Sequence, residues 1–181
     1  MSYVSGVTAE TYGFSTRGDW VTSRGLSIPR YRDSIQELFG SYNTTRVEPW
    51  TVEQVEVLRG PASVLYGQGS PGGLLNVVSK TPRKDFGGSL VAELGNFDRY
   101  QLAGDITGPV AGTDGQLLFR MVGLYRNTGS QVDYVDEETG VLMPSLTWLP
   151  SPDTRLTLIG IHQDTKGCLL YTSPSPRDSG Q

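Results

Sequence analysis

The densest run of residues with a chemical signature is the glycine-rich segment from Arg59 to Lys80. Its Gly67-x-Gly69 and Gly72-Gly73 pairs are similar to loops whose backbone N–H groups hold a phosphate. Such a loop needs a following Gly-Lys-Ser or Gly-Lys-Thr and a helix, whereas apolar residues typical of a strand follow here. We therefore expect these glycines, with Gly60, to permit sharp turns and close backbone approach in a compact sheet.

Metal and catalytic chemistry have few candidate residues. The 181 residues include one His and one Cys, so neither a zinc site nor a haem site is expected. No nucleophile–base pair or carboxylate dyad stands out, and His162 falls in a strand pattern that favours a structural role. A net charge of −4 argues against general nucleic-acid binding. The sequence therefore favours a protein that is not an enzyme and has no catalytic or metal-ligating residues.

Helical periodicity is scarce, and three short segments are candidates. The apolar residues of Thr51–Leu58 fit a helix, but its valines also fit a strand, so both stay open. Asp33–Phe39 is a second candidate, and Pro61–Tyr66 is a third, with Pro in its first turn and Gly67 as its stop. We expect an α+β arrangement in this part of the chain.

Beyond Lys80 apolar and polar residues alternate, which is the period of strands. Turns rich in Gly, Asp, Asn and Pro separate the alternating segments. The predicted strands are Gly88–Gly95, Arg99–Thr107, Gln116–Asn127, Val141–Leu149 and Thr154–Gln163. One face carries aliphatic and aromatic residues, the other Arg, Asp, Glu and Gln, and the succession predicts an antiparallel meander.

Alternation by itself leaves two architectures open, a soluble sandwich and a transmembrane β-barrel. Strands of about 9–11 residues with one apolar and one strongly polar face are typical of a barrel with a wet lumen. The smallest such barrels have about eight strands, and lipid does not tolerate open sheet edges. If the strands belong to a membrane barrel, we expect them to be only its first part.

The last residues differ in composition from the rest of the chain. From Cys168 the chain reads Cys-Leu-Leu-Tyr-Thr-Ser-Pro-Ser-Pro-Arg-Asp, which resembles the translation of a sequencing-library adapter. We therefore expect residues 168–181 not to be native and exclude them from fold reasoning, together with the single cysteine.

Several motifs together resemble the plug domain of TonB-dependent outer-membrane receptors, and the ferric-siderophore receptors of the ferrichrome type in particular. The most specific is the run Val55–Lys80, which includes Arg59-Gly60-Pro61 and Leu65-Tyr66-Gly67. Further matching segments are Ser2–Val7, Tyr12–Phe14, Arg17–Trp20, Arg24–Leu26, Tyr31–Ile35 and Val47–Trp50. The family usually has Pro at Ser5 and Gly at Ser34. The resemblance covers about residues 2–167.

The resemblance implies a fold and a division into domains. We expect a plug domain over residues 1–82, the first strands of the barrel over residues 83–167, and the non-native tail over residues 168–181. The fold class is thus an α+β plug followed by the start of an antiparallel transmembrane β-barrel, which in the family has about 22 strands. We also expect the signal peptide, the N-terminal box that binds TonB and the first plug strands to lie outside this chain.

The resemblance further implies a ligand site at the outward tip of the plug. The matching residues are Arg24, Phe39, Gly40, Ser41, Tyr42 and Trp50. Arginine can donate hydrogen bonds to the oxygens of a siderophore, and Tyr and Trp provide large, rigid surfaces. No cofactor is expected, because iron enters only as part of the ferric siderophore, whose own groups fill its coordination sphere.

Glu56 and Arg59 are the expected electrostatic latch between plug and barrel wall. Burying such charges costs several kcal/mol unless partners are supplied. The alternative for Arg59 is that it binds nearby carbonyls and stabilises the turn.

The function that follows is ferric-siderophore import across the outer membrane of a Gram-negative bacterium. The expected partners are the siderophore, TonB and outer-membrane lipid, with no nucleic acid. Two alternatives stay open: a TonB-dependent receptor for cobalamin, haem or a glycan, and a soluble β-rich carbohydrate-binding module.

Overall fold

The computed structural model describes residues 4–9, 20–37, 46–60, 70–129, 136–151 and 153–167. Within these ranges the chain forms two small sheets, which we call the N-terminal part, and one large sheet. The strands of the N-terminal part are β1 Val7–Ala9, β2 Val21–Ser23, β3 Leu26–Ser27, β4 Arg30–Arg32, β5 Ile35–Gln36, β6 Val52–Leu58 and β7 Leu74–Ser79. A 3-10 helix, Pro49–Thr51, precedes β6.

Strand β7 is the centre of the N-terminal part. One sheet has the order β1-β2-β3 and the other the order β5-β4-β7-β6, in which β4 and β7 run parallel. Leu74 and Leu75 of β7 are almost fully buried, as is Tyr31 of β4. A strand that is covered on both faces needs this nearly continuous apolar run, in contrast to an alternating strand.

Gly73 makes the close backbone approach expected of the glycine-rich run. Its φ is +105°, and a Cβ at this position would lie 1.9 Å from the carbonyl oxygen of Leu58. Only glycine fits where β7 begins against the end of β6. Gly67 and Gly69 lie outside the described residues.

The expected α+β character of the N-terminal part is not confirmed, because the described residues contain no α-helix. The helical alternative for Thr51–Leu58 is wrong: β6 occupies it and pairs with β7. Over Asp33–Phe39 the described residues form a turn and then β5. The Asp33 carboxylate accepts hydrogen bonds from the Ser79 amide and hydroxyl, both at 2.7 Å, which holds this turn beside β7. Pro61–Tyr66 lies outside the described residues.

The large sheet is an antiparallel meander, as predicted. Its strands are β8 Gly87–Leu94, β9 Tyr100–Pro109, β10 Leu117–Gly129, β11 Asp136–Ser151, β12 Thr154–Ile159 and β13 His162–Gly167. Successive strands pair from β8 to β11, and β12 and β13 both pair with β11. These described strands form an open sheet and no closed barrel.

Two short strands replace the predicted fifth strand because of Pro144. The Gly160 amide donates to the Pro144 carbonyl at 2.9 Å, but proline has no N–H with which to return the bond. The pairs Ser145–Ile159 and Leu142–His162 on either side of the interruption keep the same register.

The two faces of the large sheet differ, but the face predicted to be strongly polar also contains many buried apolar side chains. On one face large apolar side chains are exposed: Leu102, Ile106, Met121, Leu142, Leu146, Trp148, Leu156 and Leu158. The opposite face is largely buried and includes Ala103, Thr107, Leu118, Arg120, Val122, Leu124, Val141, Met143 and Thr147. The N-terminal part packs on this second face through Trp50. Among the described residues, no helix is long and apolar enough to span a membrane.

Candidate functional site

Arg24 is exposed at the tight turn between β2 and β3. Its φ of +52° is unusual for a residue with a long side chain, and Gly25 follows with a φ of +75°. The Arg24 amide donates to the carbonyl of Gly6 at 2.7 Å, which ties this turn to the segment before β1. The turn therefore presents the guanidinium at the surface, as a ligand contact requires.

The second predicted loop cannot be compared with Arg24, since Phe39, Gly40, Ser41 and Tyr42 lie outside the described residues. These four assignments stay predictions.

Trp50 lies between the N-terminal part and the large sheet. Its Nε1 donates to the carbonyl of Gly104 at 3.2 Å, and its ring packs against the buried cluster of Ala103, Leu124 and Val141. The ammonium of Lys80 lies 4.4 Å from the ring centroid, within cation–π distance. The structure thus gives Trp50 a packing role against the large sheet, and its predicted ligand contact stays a prediction.

Glu56 and Arg59 have their described surroundings in the N-terminal part. The Glu56 carboxylate accepts hydrogen bonds from Gln54 at 2.7 Å and Asn76 at 2.8 Å. Arg59 is exposed directly after β6. The large sheet supplies no described partner to either residue, so their latch role stays a prediction.

Other charges connect the N-terminal part to the large sheet, and they form two clusters. The first, called the Arg120 cluster, comprises Glu53, Lys80, Arg83, Asp105 and Arg120. The second, called the Arg126 cluster, comprises Arg46, Glu48, Arg126 and Glu137.

In the Arg120 cluster the central guanidinium is only 5% exposed. It donates to both carboxylate oxygens of Asp105, from Nε at 2.9 Å and from Nη2 at 2.8 Å. Its Nη1 reaches the Thr81 carbonyl at 2.9 Å and Glu53 at 3.2 Å. Lys80 donates to Asp105 at 2.9 Å. One arginine of the large sheet thus binds its own sheet and the N-terminal part together.

The Arg126 cluster also joins the large sheet to the N-terminal part, but its shortest contacts are with a different part of the chain. Arg126 donates to both oxygens of Glu48, at 3.2 and 2.7 Å, and the Glu48 side chain is 5% exposed. The partner on the large sheet, Glu137, lies farther away at 3.6 Å. Arg46 lies 4.0 Å from Glu137. Here the close pair is the one between the N-terminal part and the large sheet.

The alternation predicted Arg and Asp on one face of these strands, and Arg120, Arg126 and Asp105 lie on that face, but no local pattern identified their partners. Arg120 and Glu53 are 67 residues apart, and Arg126 and Glu48 are 78 apart. The available signal was the recurrence of charge on a face that alternation predicts to be polar. Because these charges neutralise one another in bidentate and bridging pairs, the arrangement suits adhesion of two surfaces. The described residues include no group of His, Cys, Asp and Glu that could hold a metal ion.

The chain matches the family model described as the TonB-dependent receptor plug domain over residues 1–74. It is 38% identical over 174 residues to the ferrioxamine B receptor of Salmonella typhimurium strain SL1344, covering 92% of this chain and 25% of that protein. It is 31% identical over 169 residues to the ferrichrome outer membrane transporter/phage receptor of Escherichia coli K12, with coverage of 91% and 22%.

The chain is also similar in structure to a solved outer-membrane receptor. The pyoverdine outer membrane receptor FpvA of Pseudomonas aeruginosa PAO1, bound to pyoverdine, matches with a TM-score of 0.78 and 28% identity. That match covers 88% of this chain and 24% of the receptor. The chain spans about a quarter of the length of the curated relatives it matches.

Proposed function

We propose that this chain, which matches the TonB-dependent receptor plug domain over residues 1–74, belongs to the TonB-dependent receptors and is part of an outer-membrane receptor that binds a ferric siderophore and imports it with energy transduced by TonB. The relatives are named for ferrioxamine B and for ferrichrome. The proposal extends their ligand class, not one particular siderophore, to this chain.

The observation that carries the proposal is the distribution of side chains over the two faces of the large sheet. Leu146 and Trp148 are exposed on its one face, whereas Arg120 is buried on the other beneath the N-terminal part. A barrel wall needs an apolar surface toward lipid. The covered face combines apolar residues with charges such as Arg120, which pairs with Glu53 of the N-terminal part. In this proposal residues 1–82 are the plug, residues 83–167 are wall, and residues 168–181 are not native.

The proposed ligand site lies on the plug at the exposed Arg24 turn, together with Phe39, Gly40, Ser41 and Tyr42. Arg24 donates hydrogen bonds to siderophore oxygens, and iron stays inside the siderophore. Trp50 is retained as a ligand residue, although its described contacts support a packing role. Glu56 and Arg59 retain their proposed pairing with wall residues other than those described.

The proposed location is the outer membrane of a Gram-negative bacterium. The exposed apolar face contacts lipid there, and TonB binds through a segment outside this chain. Both partners follow from the same wall-and-plug arrangement, and nucleic acid has no part in it.

The test uses the full-length receptor that contains this chain, expressed in cells without their own ferric-siderophore receptors. We expect saturable binding of at least one radiolabelled ferric siderophore, with uptake that is lost when TonB is deleted. Cobalamin, haem and a glycan mixture serve as competing ligands. Binding of one of these, and of no ferric siderophore in the panel, refutes the proposed ligand class.

A further inference from the structure

The two charge clusters differ in what each group retains when the N-terminal part separates from the large sheet. Arg120 keeps both of its hydrogen bonds to Asp105, because Asp105 lies on the neighbouring strand of the same sheet. Among the described residues of the large sheet, the partner that Arg126 keeps is Glu137, at 3.6 Å. The large sheet therefore satisfies the arginine of one cluster well and the arginine of the other poorly.

The same asymmetry holds on the N-terminal side. The Glu53 side chain is 36% exposed, so it already contacts water, and its other partner, Arg83, is bound through its amide to Thr107 of the large sheet. Lys80 retains the Trp50 ring beneath its ammonium. Glu48 is 5% exposed, and Arg126 is the one described group that reaches its carboxylate oxygens.

Separation thus has unequal consequences at the two clusters. At the Arg120 cluster every charge keeps a partner or already contacts water, so little is lost. At the Arg126 cluster the two charge-assisted hydrogen bonds between Arg126 and Glu48 are lost together, and a bidentate pair of this geometry is the strong kind of ion pair. The two arginines are six residues apart on β10, a distance of about 20 Å, so the clusters can open separately.

We propose that the Glu48–Arg126 pair holds the N-terminal part against the large sheet and sets the threshold for its release, whereas the Arg120 cluster aligns the two surfaces and opens readily. This inference rests on the proposed function, in which a plug must leave its wall during transport. The Glu48–Arg126 pair is distinct from Glu56 and Arg59, the latch expected from the sequence.

Ala103 provides a reporter that lies between the two clusters. It is 1% exposed in the cluster against which Trp50 packs. A thiol introduced by Ala103→Cys becomes accessible to a small water-soluble methanethiosulfonate reagent only when Trp50 moves away. The labelling rate is measured on the full-length receptor in detergent, with any other cysteine replaced by serine and no siderophore added.

Glu48→Gln and Glu53→Gln form a matched pair, since each removes one negative charge from the same stretch and each residue faces one arginine of the large sheet. We expect Glu48→Gln to accelerate labelling about tenfold or more, the effect of weakening a hydrogen-bonded charge pair. For Glu53→Gln we expect less than about a threefold change, as for a partly exposed pair. Equal acceleration by both, a larger effect of Glu53→Gln, or no effect of either overturns the inference.

If Glu48→Gln does not assemble, Glu48→Asp replaces it, because it keeps the charge and shortens the reach by one methylene. Labelling several-fold faster then supports the hold, and an unchanged rate overturns it. Ferric-siderophore binding is measured separately on receptor without the reporter. A receptor that binds none but still shows the unequal labelling refutes the proposed function and leaves the hold intact.

Discussion

The N-terminal part and the large sheet solve the placement of apolar side chains in opposite ways. In the N-terminal part, β7 buries Leu74 and Leu75 at the centre of its sheet, as a water-soluble domain does. In the large sheet, Leu146 and Leu158 are exposed and Arg120 is buried. One chain therefore contains a core of the usual kind beside a sheet with exposed apolar side chains on one face and buried charges among the apolar residues of the other, an arrangement that we call inverted polarity. Under the proposed function the difference follows from two environments, lipid for the outer face of the large sheet and an aqueous lumen for the N-terminal part.

The largest expected effect concerns the isolated 181-residue chain. If the large sheet is wall, its exposed leucines and open edges make the chain aggregate in plain buffer and require detergent. A soluble carbohydrate-binding module is expected to stay monomeric. Analytical ultracentrifugation with and without detergent distinguishes them, and a sharp, reversible thermal transition of a monomer in plain buffer contradicts the comparison.

Next in size is Gly73→Ala, which attacks the core of the N-terminal part. A Cβ would lie 1.9 Å from the Leu58 carbonyl oxygen at a φ of +105°, so we expect a loss of about 4 kcal/mol in the stability of this part. Gly25→Ala is the matched control in the same part of the chain, with a φ of +75° and no atom within 4 Å of the added Cβ, and is expected to cost about 1 kcal/mol. Hydrogen exchange of the β7 amides in the full-length receptor measures the difference. Similar costs at both glycines show that β7 does not need the close approach.

Leu146→Arg tests the inverted polarity directly. On a lipid-facing surface the substitution is expected to cost about 3 kcal/mol of stability, whereas on a water-facing surface it is nearly neutral. Ser89→Arg, on the opposite face of the sheet, is the control and is expected to change stability by less than about 0.5 kcal/mol. Reversible unfolding of the receptor in lipid vesicles gives both values. A neutral Leu146→Arg means that this face is not in lipid.

The smallest effect is expected at the proposed ligand site. Substitutions of Arg24 and Trp50 there distinguish a role in ligand binding from a role in packing. Arg24→Ala removes an exposed donor and is expected to weaken siderophore binding about tenfold, or about 1.4 kcal/mol, without loss of stability. Trp50→Ala is expected to lower the stability of the contact with the large sheet, because the ring packs on Ala103, Leu124 and Val141. Binding isotherms measure the change in affinity of both variants, and thermal melts measure the change in their stability. Unchanged affinity for both rejects the site assignment.

The large sheet was predictable from sequence because its information is local. Along β10 the alternation identified which residues share a face, and the observed Leu117–Gly129 lies within two residues of the predicted strand. The same local reasoning did not predict that β12 and β13 would be separate strands. That outcome depends on Pro144, which lies in the neighbouring strand and not in the segment being read.

The N-terminal part was less predictable because long-range contacts decide its structure. Thr51–Leu58 had a pattern that suited helix and strand alike, and pairing with β7 decided for strand. The hold at Glu48 depends on an arginine 78 residues away, which no local spacing signals. Arg24 could be named through a motif, and the structure adds the positive φ that presents it.

The interruption opposite Pro144 has a consequence for curvature. A sheet that curls around an enclosed domain must bend across its strands, and bending concentrates where a rung of the hydrogen-bond ladder is missing. Gly160 and Ile161 leave such a place between β12 and β13, while the pairs on both sides keep one register. The large sheet can therefore coil at this line without any side chain changing faces, so that curvature and the inverted polarity are compatible in the same strands.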